Sequence, residues 1–437
     1  MTPIDSETDL SGRFLALRGR IHADLLASID FSEVGDLSRE ALREELAGQI
    51  ETMLERSEEP LREEQRVRLV REILDEVFGL GPLEPLFVDP DVTDIMVTGP
   101  SRVYVERLGR IEPVDIRFRD EAHLLNVVQR IVRNAGRRLD ERSPMVDARL
   151  ADGSRVNAVI PPVALDGPQL SIRRFSATPL DFGRLAGFGT LPAASVKLLE
   201  VAVAGRLNII VTGGAGVGKT TLLNAMSDAM STSERIITIE DAAELRLHGE
   251  HVVRLETRSP NLEGVGDIDT RQLVRNALRM RPDRIIVGEC RGAESFDMLQ
   301  AMNTGHEGSM TTLHANSARD AMHRLESLLA IGGFEVPVRV LRDYIASALH
   351  LVVHLTRLPD GRRVVSEIME VGRLVDDVIQ LHPIHRFRLD AYRDGRVEGE
   401  FEATGHHPSF DSILQQHGVS CPESILEEGP LRSEGPQ

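Results

Sequence analysis

Between about Leu37 and Phe78 the apolar residues recur at helical spacing: Leu42, Leu46, Ile50, Met53 and Leu54, then Val67, Val70, Leu74, Val77 and Phe78. Steps of three and four place them on one face. The segment therefore reads as an amphipathic helix pair or small bundle, stopped by Gly79 and Gly81-Pro82, with the first thirty residues loosely attached. The period then shortens. Asp94 to Val97 and Arg102 to Glu106, separated by Thr98-Gly99-Pro100 and followed by a Leu108-Gly109 turn, predict a meander of short strands. Leu124 to Val132 reads as a helix. Asp152-Gly153 marks a hairpin turn before a strand over Arg155 to Ile160, and Leu170 to Phe175 forms another. Beyond Gly189, strand and helix patterns alternate through about Val371, as in a nucleotide-binding α/β domain. These patterns divide the chain into a helical region (1–78), a small α/β domain (79–175), a Gly- and Pro-containing linker (176–189), a second α/β domain (190–405) and a polar tail (406–437) whose last dozen residues read as disordered.

Composition narrows the class. A chain of 437 residues with 41% hydrophobic residues has room for two or three soluble cores. No apolar start resembles a signal peptide, and no run approaches the ~20 residues that span a bilayer. Two distant cysteines, Cys290 and Cys421, build neither a disulfide framework nor a zinc knuckle. A net charge of −18, no tryptophan and 4% aromatics argue against a dedicated nucleic-acid binder.

The sharpest chemical signal is a lysine. Of 51 basic residues only Lys197 and Lys219 are lysine. Lys219 closes Gly213-Gly214-Ala215-Gly216-Val217-Gly218-Lys219-Thr220, a full match to the phosphate-binding loop, with Thr221 next in the following helix. A compact ammonium fits inside a loop wrapped round β- and γ-phosphates, and a planar guanidinium does not. The β-branched run Leu207 to Thr212 before the loop and the helical run after it supply the strand–loop–helix context. The glycines let backbone N–H groups converge on phosphate, and Thr220 would place its hydroxyl on Mg²⁺.

Three further clusters surround this loop in sequence. Ile236 to Asp241 is an apolar strand ending in Glu240 and Asp241, with Glu244 three residues on. Arg284 to Glu289 is a second such strand, ending in Gly288-Glu289. In a parallel sheet both would emerge beside the ligand. There Glu240 and Asp241 would bind Mg²⁺, and Glu244 or Glu289 would polarise the attacking water; either cluster alone is equally compatible with helix capping. The third cluster, Thr304 to Asn316, holds His306 and His314 in a Gly/Ser/Thr-rich segment suited to sensing the γ-phosphate.

Taken in order, the P-loop, Thr-Ile-Glu-Asp-x-x-Glu, Arg-Pro-Asp-Arg-Ile-Ile-Val-Gly-Glu and Gly-His-Glu-Gly-Ser-x-Thr-Thr-Leu-His-Ala-Asn resemble the Walker A, Asp box, Walker B and His box of the type II/IV secretion ATPase superfamily. Asp152 to Asn157, Ser171 to Phe175 and Met302 to His306 are similar to its CpaF-type branch, the pilus-assembly ATPases of tight-adherence (Flp) systems. The resemblance, over roughly residues 79–371, implies a RecA-like P-loop domain with a parallel-rich sheet behind a small PAS-like α/β domain. It further implies ATP and Mg²⁺, and catalytic roles for Glu244, Glu289, His306 and His314. Arg155, Arg173 and Arg174 match arginines that reach nucleotide from the domain junction. It implies as well a homohexamer at the cytoplasmic face of the inner membrane, docked on a platform protein. Two cysteines cannot build the four-cysteine zinc motif of type II secretion extension ATPases, which disfavours that subclass.

Other P-loop classes fit less well. A GTPase needs an Asn-Lys-x-Asp motif, and neither lysine supplies one. A small-molecule kinase has no need of the N-terminal domains. A hexameric DNA translocase or helicase-like motor is the alternative, for which the basic segment Arg130, Arg133, Arg137, Arg138 and Arg142 offers a surface. Its simpler reading is a solvated helix face.

Overall fold

The computed structural model describes residues 14, 17–22, 24–25, 28, 39–57, 60–107, 109–174, 180–258, 266–333 and 336–431. They fall into two compact units, Met1–Ser176 and Ala177–Gln437. The expectations for most of the first thirty residues, for Leu108 and Phe175, for the linker at 176–179 and for the last six residues lie outside the described residues.

In the first unit the helical periodicity resolves into α1 (Arg39–Arg56) and α2 (Glu63–Phe78). Leu46, Ile50 and Leu54 pack on Leu69, Ile73 and Leu74, with Leu17, Ile21 and Leu25 completing a separate core. A short α3 (Glu84–Val88) leads into β1 (Val92–Thr98), β2 (Arg102–Arg107), β3 (Arg110–Val114), α4 (Glu121–Asn134), β4 (Met145–Arg149), β5 (Arg155–Val159) and β6 (Gln169–Arg173). The six strands form one antiparallel sheet in the order β3-β2-β1-β6-β5-β4. Asp120 caps α4 by accepting the His123 N–H at 2.7 Å. The helix then lays Leu124, Val127, Val128 and Ile131 over Ile95, Val97, Val156 and Ile172. A buried contact of 2.8 Å between Glu76 and His123 Nε2 ties α2 to α4. The basic segment is partly consumed here: Arg130 donates to the Gly79 carbonyl at 3.2 Å, and Arg138 pairs with Asp140.

The second unit opens with α5 (Phe182–Gly187), capped by Asp181, and α6 (Ala193–Ala204). Phe182 and Leu185 are buried in the main core, so the expected linker is a packed helix from Phe182 to Gly187. Then follow β7 (Ile209–Gly213), α7 (Lys219–Ser227), β8 (Ile236–Glu240), β9 (Val252–Glu256), α8 (Thr270–Ala277), β10 (Arg284–Val287), α9 (Glu294–Asn303), β11 (Met310–His314), α10 (Ala318–Ile331), α11 (Val338–Ala348) and β12 (Leu351–Arg357). The antiparallel strands β13 (Arg363–Val375), β14 (Val378–Arg393) and β15 (Arg396–Ala403) come next, then α12 (Asp411–Gln416) and β16 (Gly429–Leu431). Strand order is β16-β15-β14-β13-β12-β7-β11-β10-β8-β9, with every pairing from β12 to β9 parallel. The parallel strands β7, β8 and β10 are buried at every position, which is why they read as continuous apolar runs.

The expected polar tail is a working part of this unit up to residue 431. Phe410, Leu414, Ile425 and Leu426 enter the core, and β16 pairs with β15. His385 fastens it, contacting the Ser195 hydroxyl at 2.9 Å through Nδ1 and the Ile425 carbonyl at 2.6 Å through Nε2.

Candidate active site

The C-terminal ends of β7, β11, β10 and β8 share one edge of the parallel sheet, and the candidate chemistry gathers there. Gly213 ends β7, and the chain turns through Gly214 to Gly218 into α7. Gly213, Gly216 and Gly218 have φ of +148°, +68° and +98°. At Gly213 a Cβ would lie 2.5 Å from the Leu355 carbonyl oxygen and 2.7 Å from Val217, so no side chain fits. Val217 is buried and anchors the loop, while Gly214, Ala215 and Gly216 are exposed. Lys219, Thr220 and Thr221 form the first turn of α7, whose N–H groups have no partner within the helix.

Lys219 is buried and folds back over the loop. Its Nζ donates to the carbonyls of Gly213 at 3.1 Å and Gly214 at 2.7 Å, and lies 3.4 Å from Nδ1 of His314. Burial pushes its pKa below the usual lysine value, while the Glu289 charge pulls it back up. His314 lies opposite Gly213 in the β7–β11 ladder. Its Nε2 is 3.3 Å from a Glu289 carboxylate oxygen. With Nδ1 facing an ammonium and Nε2 facing a carboxylate, these partners assign the tautomer protonated on Nε2. Lys219, His314 and Glu289, from three separate segments, thus stand in one line.

Glu289 is held by its neighbours. Gly288 donates to the Ile239 carbonyl at 2.8 Å and its own carbonyl accepts the Thr312 hydroxyl at 2.7 Å, while Cys290 donates to the Thr312 carbonyl at 2.9 Å. A Cβ on Gly288 would sit 3.0 Å from the buried Glu240 side chain, a tight contact in which that side chain would have to give. Cys290 is 2% exposed and burial pushes its thiol up to about 12, so it is an inert core residue.

Other predicted residues take different places. Glu240 accepts the backbone N–H groups of Glu244 at 2.8 Å and Leu245 at 3.0 Å, and burial raises its pKa to about 7. Asp241 pairs with Arg291 and accepts the hydroxyls of Thr257 and Thr270, each at 3.3 Å. These two carboxylates, expected as Mg²⁺ ligands, are already engaged: Glu240 shapes the turn that presents Glu244, and Asp241 braces β9 and α8. Among the described residues no group of three or more His, Cys, Asp or Glu side chains is placed to hold a metal. The Thr220 hydroxyl in the first turn of α7 remains a fitting magnesium ligand, since that ion takes few protein ligands beside substrate phosphates.

His306 is not at this edge. It precedes β11 and His314 ends it, so a five-residue strand separates them, a rise of roughly 13 Å. The His306 carbonyl accepts the Ser309 hydroxyl at 2.7 Å, and its N–H donates to Ala301 at 3.3 Å. Of the three arginines, all in the first unit, Arg155 and Arg173 are cross-strand partners in β5 and β6, and Arg173 pairs with Asp94 at 3.0 Å. Arg174 donates to the carbonyls of Leu86 and Val92 at 2.9 Å, Phe87 at 2.8 Å and also Asp89, and stacks on the Phe87 ring. It holds α3 and the turn into β1 together.

The family model for type II/IV secretion system proteins matches residues 76–387. The chain belongs to the type II/IV secretion system protein family. Among its relatives, a protein of Mycobacterium tuberculosis named for conjugal transfer is 41% identical over 344 residues, covering 74% of this chain and 97% of its own. The type IV secretion system protein VirB11 of Brucella suis is 30% identical over 305 residues, covering 64% and 84%. Among solved structures, the Legionella pneumophila ATPase DotB aligns at a TM-score of 0.50 with 26% identity, covering 68% of this chain and 81% of its own. The matched segment of this family member takes in the P-loop, Glu289 and both histidines.

Proposed function

We propose that the chain is the ATP-hydrolysing motor of an envelope-spanning secretion or pilus-assembly machine. It works as a ring of six copies at the cytoplasmic face of the inner membrane, against a platform protein. The alignment of Lys219, His314 and Glu289 beside a glycine loop carries this reading. The family and the relatives named for conjugal transfer and type IV secretion support transport as the work performed. The finer assignment, assembly of Flp-type pili, is supported by the sequence similarity of Asp152 to Asn157 and Met302 to His306, and the small antiparallel unit serves as the PAS-like domain of that branch.

In this mechanism the loop from Gly214 to Gly218, exposed at Gly214 to Gly216, and the first turn of α7 cradle the phosphates. Lys219 exchanges the Gly213 and Gly214 carbonyls for β- and γ-phosphate oxygens. The Thr220 hydroxyl would hold magnesium, which neutralises phosphate charge when bound. Glu289 orients water and accepts its proton as the water oxygen attacks the γ-phosphorus, and the bond to the bridging oxygen breaks to release ADP. Glu244 follows β8 at the same end of the sheet, and this reading gives it the role of second carboxylate. His314, linked to both Lys219 and Glu289, senses whether the γ-phosphate is present.

Cells whose only copy carries Glu289→Gln test the reading. The variant protein should accumulate at its membrane platform while surface pili or secreted protein disappear. Normal pili and secretion would refute the proposal, and hydrolysis stimulated by DNA would favour a nucleic-acid motor.

A further inference from the structure

We propose that His354 is a positioning residue for ATP hydrolysis, bracing the root of the P-loop from the neighbouring strand. The inference rests on the motor reading above. His354 lies on β12, which flanks the P-loop strand on the side away from the acidic residues, and no sequence motif draws attention to it.

Three observations meet at this residue. First, His354 lies opposite Thr212 in the β12–β7 ladder, and its Nδ1 is 2.8 Å from the Thr212 hydroxyl. Both side chains are buried, at 5% and 0% exposure, and Thr212 immediately precedes the first P-loop glycine. Second, Thr212 in turn lies opposite Leu313, the residue before His314, in the β7–β11 ladder. The imidazole thus braces the P-loop strand at the residue that pairs with the His314 strand. Third, the β12–β13 ladder slips its register between His354 and Leu355. Bulges of this kind re-aim side chains beside functional sites. The Leu355 carbonyl is also the group that a Cβ on Gly213 would strike at 2.5 Å. The P-loop root is therefore gripped twice from β12, by a ring and by a carbonyl.

The chemistry suits a fixed spacer. Burial lowers the His354 pKa, and the Lys219 charge adds to that, against Glu367, the Asn316 backbone and Asp320. The neutral ring accepts the Thr212 hydroxyl at Nδ1. Without it, Thr212 keeps only a long contact of 3.4 Å to the Val353 carbonyl. The Lys219–His314–Glu289 line would then lose its reference to the loop, and small misplacements at a reacting centre are costly in rate.

The test uses the full chain with His354→Phe, His354→Asn, Thr212→Val and the His354→Phe/Thr212→Val double variant. Steady-state ATP hydrolysis, binding of a fluorescent ATP analogue and thermal melting are compared. His354→Phe keeps the packing and should lower kcat by about ten- to a hundredfold, with binding changed by less than about threefold because the loop and Lys219 remain. His354→Asn, whose amide oxygen can take the place of Nδ1, should recover much of the loss. The double variant should be no slower than the worse single variant, because both remove the same contact. A merely structural histidine would instead lower the melting temperature without this split between binding and turnover. Unchanged kcat in folded His354→Phe, or losses in the double variant that simply multiply, would overturn the proposal. Should His354→Phe fail to fold, Thr212→Val alone must show the same kcat deficit. A wild-type chain with no hydrolysis sensitive to Lys219→Ala would sink the motor reading itself, and this inference with it.

Discussion

Replacing Arg174 with methionine separates two roles that the sequence could not. The guanidinium donates to four carbonyls between Leu86 and Val92. Methionine keeps an unbranched stem against Phe87 but removes every donor. Hydrogen bonds from a charged donor contribute about 1.5–3 kcal/mol each. Leu86 and Val92 are buried, so their carbonyls cannot all be reclaimed by water. The four share one donor group and are not additive, so a net loss of about 2–4 kcal/mol for the first unit is expected. Amide exchange that proceeds by opening this region should then accelerate roughly thirtyfold to several-hundredfold. The assay is hydrogen exchange read by mass spectrometry on peptides from 84–98, with β7 peptides as the internal reference. ATP hydrolysis of the chains that remain folded should change little. Unchanged protection together with lost hydrolysis would refute this reasoning and return Arg174 to the nucleotide.

His314→Ala should reduce hydrolysis by about tenfold or more, whereas His306→Ala should leave turnover of the folded protein nearly intact; equal losses in both would contradict their placement at opposite ends of β11. Glu240, with its pKa raised from 4.5 to about 7, binds a proton more tightly folded than unfolded. Its contribution to stability is therefore complete below the ordinary glutamate value and is lost as pH rises to about 7. Denaturant titrations at several pH values should show that decline, and Glu240→Gln should flatten it; a decline of the same size in the variant would assign it to another group. Lys219→Ala mixed with an Arg155→Ala/Arg173→Ala variant should regain hydrolysis if those arginines serve a neighbour's nucleotide in a ring, and rings verified as mixed that stay inactive would rule out action in trans.

Features made of a few consecutive residues were legible in the sequence. The P-loop is one, because its chemistry is local, and the helix pair is another, because its apolar stripe is regular. The acidic strand ends were also visible, but not which carboxylate was free. Glu240 and Glu289 both follow apolar strands, and only the fold shows that Glu240 turns inward onto Leu245 while Glu289 meets His314. The two histidines part for a geometric reason: His306 precedes β11 (Met310–His314) and His314 ends it, so the strand carries them to opposite ends. The antiparallel extension was masked by charge, since Arg386, Arg388, Glu400 and Glu402 form cross-strand ion pairs that blur an apolar alternation. The packed helix at Phe182 and the folded tail each rest on a few apolar residues set in polar surroundings, too few to outweigh their flanks. His354 left no signal, because its importance lies in a contact with Thr212, which is distant in sequence.

ATP hydrolysis by this chain should depend on Lys219. The direct measurement is phosphate release by purified wild-type and Lys219→Ala proteins at saturating Mg²⁺-ATP, with circular dichroism and melting curves matched beforehand. Wild-type protein should release phosphate steadily, and Lys219→Ala should fall to background with nucleotide binding strongly weakened. Equal phosphate release from two equally folded proteins would contradict the account.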